Sequence, residues 1–269
     1  MSEGIAEPRQ PTRSSLEIVV SVLHALMLRE VLQRLFANRA AWAWLIVEPL
    51  FHAGYLALFY TVVKVRSIGG IDTVIWLLSG LMGFFLFSRT ASQVGNALAA
   101  NRPLFTYRQV TPLDTMVSRA VLEGAIMTVL TTFVLFMATL IGHPFSPDAP
   151  LTVLLAFFCI WTIGFGWGVV DAVASGLVPE LGTVIDLASR PLYLISGVVF
   201  PLSLLPPTLR DWLMLNPLAH LIEQIRIGIA SHYHAVPDAN LAYPYAFALV
   251  LLFASLLLLR RFEWKLLSR

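Results

Sequence analysis

The amino-acid sequence predicts an all-α integral membrane protein with six transmembrane helices, and three observations carry that expectation. Hydrophobic residues make up 58% of the 269 residues and charged residues only 13%, with a mean hydropathy of +0.77. Soluble domains carry about 25% charge, so a surface this poor in charge must meet lipid. Apolar stretches near the roughly 20 residues that cross a bilayer recur at 40–63, 71–94, 117–141, 151–175, 183–205 and 241–259. The basic residues also sort to alternate connections: with six spans, fourteen of the 18 fall on one side and four on the other. Short basic loops stay in the cytoplasm, which places both termini there and requires an even number of spans. The same composition excludes disorder, collagen-like repeats and coiled coil. Cys159 is the single cysteine, so no internal disulfide forms.

Taken in order, residues 1–39 read as a cytoplasmic tail with an amphipathic surface helix. Ile18 to Leu28 is too short to cross, and Arg29 and Glu30 follow it where a signal peptide needs a small-residue cleavage site. Val19, Val20, Leu23, Met27 and Val31 recur at helical spacing, with Glu17, Ser21 and His24 on another face. The helix either lies on the inner leaflet, turning Arg29, Arg34 and Arg39 to anionic headgroups, or packs on a partner protein. Residues 40–269 form the six-span region. In span one Glu48 precedes Pro49, with His52 one turn away, an arrangement open to a proton relay or to a kink supported by a buried hydrogen bond. Arg89 closes span two.

The connection 101–116 runs from Asn101 through Pro103 to Pro112 and Asp114. Thr111, Pro112 and Asp114 have the N-cap, first-turn proline and third-position acid of a new helix. A stiff, basic, aromatic segment held between two spans either transmits a push or simply anchors the loop. Span four is uncharged from Leu151 to Val170, and Gly164, Gly168, Ala172 and Gly176 repeat every four residues. Such a small-residue stripe lets another helix approach closely, within the subunit or at a dimer seam. In span five Asp186 and Arg190 are spaced to pair. Pro201, Pro206, Pro207 and Pro217 then break up the stretch 201–237, leaving short helices that are re-entrant or rest on the outer leaflet. Asn216 and Pro217 start one of them. Leu218, Leu221, Ile225 and Ile229 share its apolar face, while His220, Glu223 and Gln224 lie on another. Span six, from Leu241 to Leu259, is free of charge.

Chemistry on the chain itself is scarce. The only lysines, Lys64 and Lys265, follow no glycine, so there is no phosphate-binding loop. No zinc-protease pair and no nucleophile elbow occurs, which leaves no expected catalytic or metal residue. His232 and His234 flank Tyr233 and read as interfacial, non-ligating groups. Trp44, Phe84 and Phe85 belong to an interfacial aromatic belt, or offer flat faces along which a sugar polymer slides. If this chain drives work, another chain supplies the energy.

Three blocks resemble a known family. Arg29-Glu30 with Arg34, followed by Trp44 and Glu48-Pro49-Leu50, is the first. Asn101-Arg102-Pro103-Leu104-Phe105 with Tyr107-Arg108-Gln109-Val110 and Pro112 is the second. Pro191, Ser196-Gly197, Phe200-Pro201, Leu205-Pro206, Asn216-Pro217 and Glu223 with Arg226 form the third. In that order they are similar to the membrane subunits of ABC-2 type polysaccharide exporters, within them the capsular polysaccharide branch of Gram-negative bacteria. The resemblance implies a homodimer of six-span subunits in the inner membrane, paired with two copies of an ATP-binding cassette subunit that carries the ATP and Mg, and no cofactor on this chain. It implies coupling to that ATPase through Arg29, Glu30, Arg34, Arg102, Pro103, Tyr107, Arg108, Pro112 and Asp114. A translocation pathway beside Trp44, Glu48, Phe84, Phe85 and Arg89 is expected, with Arg89 drawing in an acidic headgroup or sugar. Pro201, Pro206, Asn216, Pro217, Glu223 and Arg226 are expected at a periplasmic gate. The cargo implied is a lipid-linked anionic polysaccharide, handed to periplasmic and outer-membrane export proteins; membrane lipids are the other partner and nucleic acid is not one. Another glycan, such as O-antigen or teichoic acid, is the alternative cargo. Two readings from other classes are a stand-alone small-solute or ion carrier, which Glu48 and His52 favour, and an intramembrane enzyme acting on lipid-linked sugars, against which the scattered acids argue.

Overall fold

A computed structural model describes residues 15–37, 39–62, 67–107 and 109–267. Residues 1–14 of the expected tail and Arg108 lie outside the described residues, as does the side chain of Arg34. Helix α1 runs over Ser15–Ala37 and α2 over Arg39–Val62. Strands β1 (Ser67–Ile68) and β2 (Ile71–Asp72) form a minimal antiparallel ribbon, turned by Gly69 at φ 59° and Gly70 at φ 97°. Both torsions are positive, as a type I′ hairpin requires, and this ribbon is the one departure from an all-α fold among the described residues. Then follow α3 (Thr73–Gly95), α4 (Ala97–Asn101), a 3-10 turn at Arg102–Thr106, α5 (Pro112–Leu140) and α6 (Pro150–Leu177). The last part holds α7 (Pro179–Ser189), α8 (Leu192–Ile195), α9 (Pro207–Leu213), α10 (Pro217–Ile229) and α11 (Ala242–Leu267).

Helices α3, α5, α6 and α11 are long and apolar enough to span a bilayer. At about 1.5 Å per residue the 24 residues of α2 also have the length. The expected fifth span at 183–205 is not one helix. Pro191 follows the end of α7 and lacks the N–H that would continue it. Gly197 takes a left-handed φ of 72°, and a Cβ there would lie 2.8 Å from the Leu202 side chain. The α-helical path therefore breaks after Ile195. Asp186 and Arg190, expected to pair, form no ion pair among the described residues; both are exposed and line a cleft with Asp171.

Helix α3 is the axis of the bundle, buried along most of its length and packed against α6, α5, α2 and α10. The small-residue stripe explains its seat on α6. A Cβ on Gly164 would lie 3.0 Å from the Phe87 carbonyl oxygen, and one on Gly168 would lie 2.6 Å from that of Ala91. The stripe thus packs within the chain. The Trp161 indole donates to the Ala120 carbonyl at 2.8 Å, fastening α6 to α5.

One end of the bundle, the α1 end, gathers α1, α4 and the start of α5. Leu26 and Glu30 of α1 are buried there, and Glu30 pairs with Arg119 at 2.9 Å. Val20, Leu28 and Leu32 of α1 are exposed, as are Glu17, Ser21 and His24, while Arg29 and Glu30 bond polar groups of the bundle. The opposite end is strapped by polar contacts. Asp72 caps α3 by accepting from the Val74 and Ile75 amides and meets His143 at 2.9 Å. The Ser231 amide and hydroxyl both donate to Asp148, at 2.7 and 2.8 Å. These bonds, the backbone one foremost, hold the Asp148 carboxyl below its ordinary range. His232 bonds the Gly70 carbonyl, and the His234 amide donates to that of Gly69.

Candidate translocation and coupling sites

The structure brings Trp44, Glu48, Phe85 and Arg89 to one cleft of about 310 Å³, with Ser88, Ser92 and Gln93 completing its wall. Arg89 Nη2 lies 2.7 Å from Glu48 Oε2, and its Nη1 lies 3.8 Å from Glu123 Oε1 on α5. The guanidinium therefore ties α3 to α2 and α5 at once. Phe84, expected with this group, faces a neighbouring cleft of about 400 Å³ with Phe87, Trp167, Asp171 and Ser189. Ser88 and Ser92 line both clefts, so α3 presents a hydroxyl ridge flanked by aromatic faces on either side.

His52 is not Glu48's partner. Its Nε2 lies 2.6 Å from the Tyr193 hydroxyl and 3.0 Å from that of Tyr55. Tyr193 in turn packs edge-on against Phe84, ring centroids 5.2 Å apart. Farther along α2 the Tyr60 hydroxyl donates to the Val199 carbonyl at 2.5 Å. Helix α2 thus touches the 190s segment through two tyrosines and α3 through an ion pair.

Of the expected coupling residues, Arg29, Glu30, Arg102, Pro103, Tyr107, Pro112 and Asp114 are described and lie at the α1 end. Thr111 and Asp114 form a reciprocal capping box, with Pro112 in the first turn of α5. That local sequence satisfies the free amides of the helix start and makes it stiff. Arg102, Pro103 and Tyr107 are exposed on the 3-10 turn and just past it. Arg29 donates to the Asn101 side chain at 2.9 Å, and Arg119 donates to the Gln93 carbonyl at 3.2 Å as well as meeting Glu30. Arg29 and Glu30 therefore bind α1 to the α4 and α5 region.

The expected gate residues split into two groups. Pro201 and Pro206 bracket a second 3-10 turn at Leu202–Leu204, and Pro206 precedes α9. Asn216 caps α10 by accepting from the Leu218 amide and donates to the Ser196 hydroxyl at 2.8 Å. Glu223 and Arg226 form a wholly enclosed ion pair at 3.0 Å. Arg226 also lies over the Trp76 ring, 3.5 Å from its centroid, and a Cβ on Gly80 would meet its guanidinium at 2.8 Å. The Tyr233 hydroxyl donates to Glu223 at 3.2 Å and accepts from the Trp76 indole at 3.2 Å. Burial pushes that phenol up to about 12, so it stays protonated and able to donate. Helix α10 is thereby riveted to α3.

Glu123, Trp76 and Tyr233 are partners that sequence reasoning missed. A signal existed for Glu123: an acid inside a spanning helix requires a partner at the same depth, and Arg89 is available. Trp76 and Tyr233 gave none, since nothing local links them to Arg226. Among the described residues no three His, Cys, Asp or Glu side chains gather as metal ligands.

Four helices apolar enough to span a bilayer, a short enclosed helix at one end of the bundle and a capped, exposed turn at the other describe a membrane subunit. The chain belongs to the ABC-2 type transporter family, whose profile matches residues 21–230. It is 32% identical over 251 residues to the polysialic acid transport protein KpsM of Escherichia coli, covering 93% of this chain and 97% of that one. It is 27% identical over 214 residues to the capsule polysaccharide export inner-membrane protein CtrC of Neisseria meningitidis serogroup A, covering 80% and 81%. Against the capsule polysaccharide export inner-membrane protein BexB of Haemophilus influenzae it is 24% identical over 216 residues, covering 80% and 82%. The chain is thus a membrane subunit of a transporter and not itself an enzyme, and its family implies an ATP-binding cassette partner.

Proposed function

We propose that this chain is the membrane-spanning permease subunit that moves lipid-linked anionic capsular polysaccharide from the cytoplasm across the inner membrane. The observation that carries this reading is the similarity to a polysialic acid transport protein over 93% of the chain and to capsule polysaccharide export inner-membrane proteins over 80% of it. Two copies enclose the pathway and two ATPase copies drive it, with both termini cytoplasmic, as the basic asymmetry of the loops supports. The α1 end then faces the ATPase.

Force enters at Arg102, Pro103 and Tyr107. The capped start of α5 carries it onward, to α1 through Glu30 and Arg119 and to α3 through Glu123 and Arg89. ATP shifts the permease between two states to the extent that it binds one of them better. Along the Ser88 and Ser92 ridge, Trp44, Phe84 and Phe85 give sugar rings flat apolar faces with few fixed bonds, so a polymer slides. Pro201, Pro206 and Asn216 shape the exit, and Glu223 with Arg226 holds α10 as its fixed wall. Periplasmic and outer-membrane proteins receive the polymer.

In a strain lacking this chain, finished lipid-linked polymer is expected to accumulate inside the cell, and the intact chain restores surface capsule. Short or absent polymer would refute export as the role. The exposed Tyr107, changed to Ala, is expected to leave insertion and ATPase assembly intact while the partner hydrolyses ATP without export. Wild-type export by that variant would remove Tyr107 from the coupling path.

A further inference from the structure

Arg89 answers two acids that differ in one respect. The side chain of Glu123 is 1% exposed, whereas that of Glu48 is 42% exposed and stands in an open cleft. An exposed ion pair is weak and screened, while a buried acid needs its cation. The direct hydrogen bond, at 2.7 Å, runs to the half-exposed Glu48, whereas Glu123 stands 3.8 Å away and adds its charge from the buried side, so a competing anion reaches the guanidinium where Glu48 sits.

The build of α2 gives that exchange a mechanical consequence. Among its described side chains the buried ones are Pro49, Ala53 and Leu56. Past Pro49 the helix is fastened by His52 and Tyr60 to Tyr193 and Val199. Before it Trp44 and Val47 are exposed, and the ion pair to Arg89 is what ties Glu48 to α3. A proline inside a helix omits the bond to the carbonyl four residues back, and helices bend there. The weakest point of α2 thus lies immediately after the residue that latches it.

We propose that Glu48 is a built-in competitor for an anion site on Arg89: a phosphate oxyanion entering past Trp44 and Phe85 takes the guanidinium, and the freed start of α2 swings about Pro49. This deepens the reading of the cleft as part of the pathway and rests on it. A phosphate offers the two-pronged geometry that arginine prefers, with more acceptors than one carboxylate. Binding moves α2 only because the anion and Glu48 exclude each other, which is the differential affinity that a population shift requires.

The test uses the full chain with its ATPase in phosphatidylcholine vesicles, spin-labelled at Val47→Cys and Val121→Cys, two exposed positions on α2 and α5; Cys159 is buried. Adding phosphatidate is expected to shift the distance distribution toward a longer component. Displacement by phosphatidate alone assigns the anion to a membrane-borne headgroup, and displacement by inorganic phosphate as well assigns it to the free group. Glu48→Gln is expected to show the longer component with neither. Arg89→Lys keeps the charge without the fork and should need several-fold more phosphatidate for the same shift. An unchanged distribution with both probes, or Glu48→Gln matching the parent, overturns the latch. The readout needs no export, so release of α2 in a chain that fails to restore capsule would refute the export reading alone.

Discussion

Replacing Glu223 by Gln tests whether α10 is riveted to α3. Glu223 accepts from Arg226 at 3.0 Å and from Tyr233 at 3.2 Å, and the Val236 amide donates to it at 3.4 Å. The ion pair has side-chain exposures of 0% and 1%. Removing one partner of a buried pair strands the other charge, at a cost of about 3–5 kcal/mol. Arg226 would keep the Val198 carbonyl and the Trp76 face, so the expected loss is at the lower end, about 3 kcal/mol. For a chain of this size that is a fall of roughly 6–12 °C in melting midpoint, read as loss of helical circular dichroism in detergent. Glu223→Gln combined with Arg226→Met removes the stranded charge and should melt above Glu223→Gln alone. A single variant within about 2 °C of the parent, or a double variant that falls further, would refute the account.

Gly168→Val drives a side chain against the Ala91 carbonyl, where even a Cβ would lie at 2.6 Å, and should cost about 1–3 kcal/mol by overpacking. Gly54→Ala on α2, where a Cβ meets nothing within 4 Å, should instead raise the melting midpoint slightly through helix propensity. Asp148 supplies a pH dependence. Its carboxyl is held below its ordinary value by Ser231, so the stability it adds is present above that ordinary value and is lost as pH falls through the lowered one. The protection of the Ser231 amide relative to its intrinsic exchange should fall over that acid range in the parent, and in Asp148→Asn it should not change with acid.

Features set by neighbouring residues were legible in the sequence. Thr111, Pro112 and Asp114 announce a capped helix start, and Asn216 with Pro217 announces another, because a cap is satisfied within three residues. Hydropathy marked the four apolar spans but misjudged 183–205, since Pro191 and Gly197 decide that segment through one missing N–H and one positive φ. Hydropathy could not foresee α10 either. It carries charge yet is enclosed, because Glu223 and Arg226 pair with each other and Trp76 roofs the guanidinium. Of the expected pathway residues, Trp44, Glu48, Phe85 and Arg89 meet in one cleft, but what binds them is a pair 41 positions apart in the chain. No local pattern encodes which acid an arginine will choose across a bundle.

The two arginine sites on α3 show how burial, rather than residue type, divides a fixed element from a movable one. At Trp76 and Gly80 the Arg226 guanidinium is sealed, and exchanging its partner would require water or an anion to enter a closed interior. At Arg89 the same chemistry opens on a cleft of about 310 Å³ and one of the two acids is exposed, so a competing anion has a path and desolvates little on arrival. The residues differ by neither charge nor hydrogen-bonding capacity. What differs is that α10 is buried along its length, whereas the start of α2 turns Trp44 and Val47 outward. Helix α3, packed against α2, α5, α6 and α10 together, carries both arrangements at once, a sealed guanidinium against Trp76 and an accessible one at Arg89.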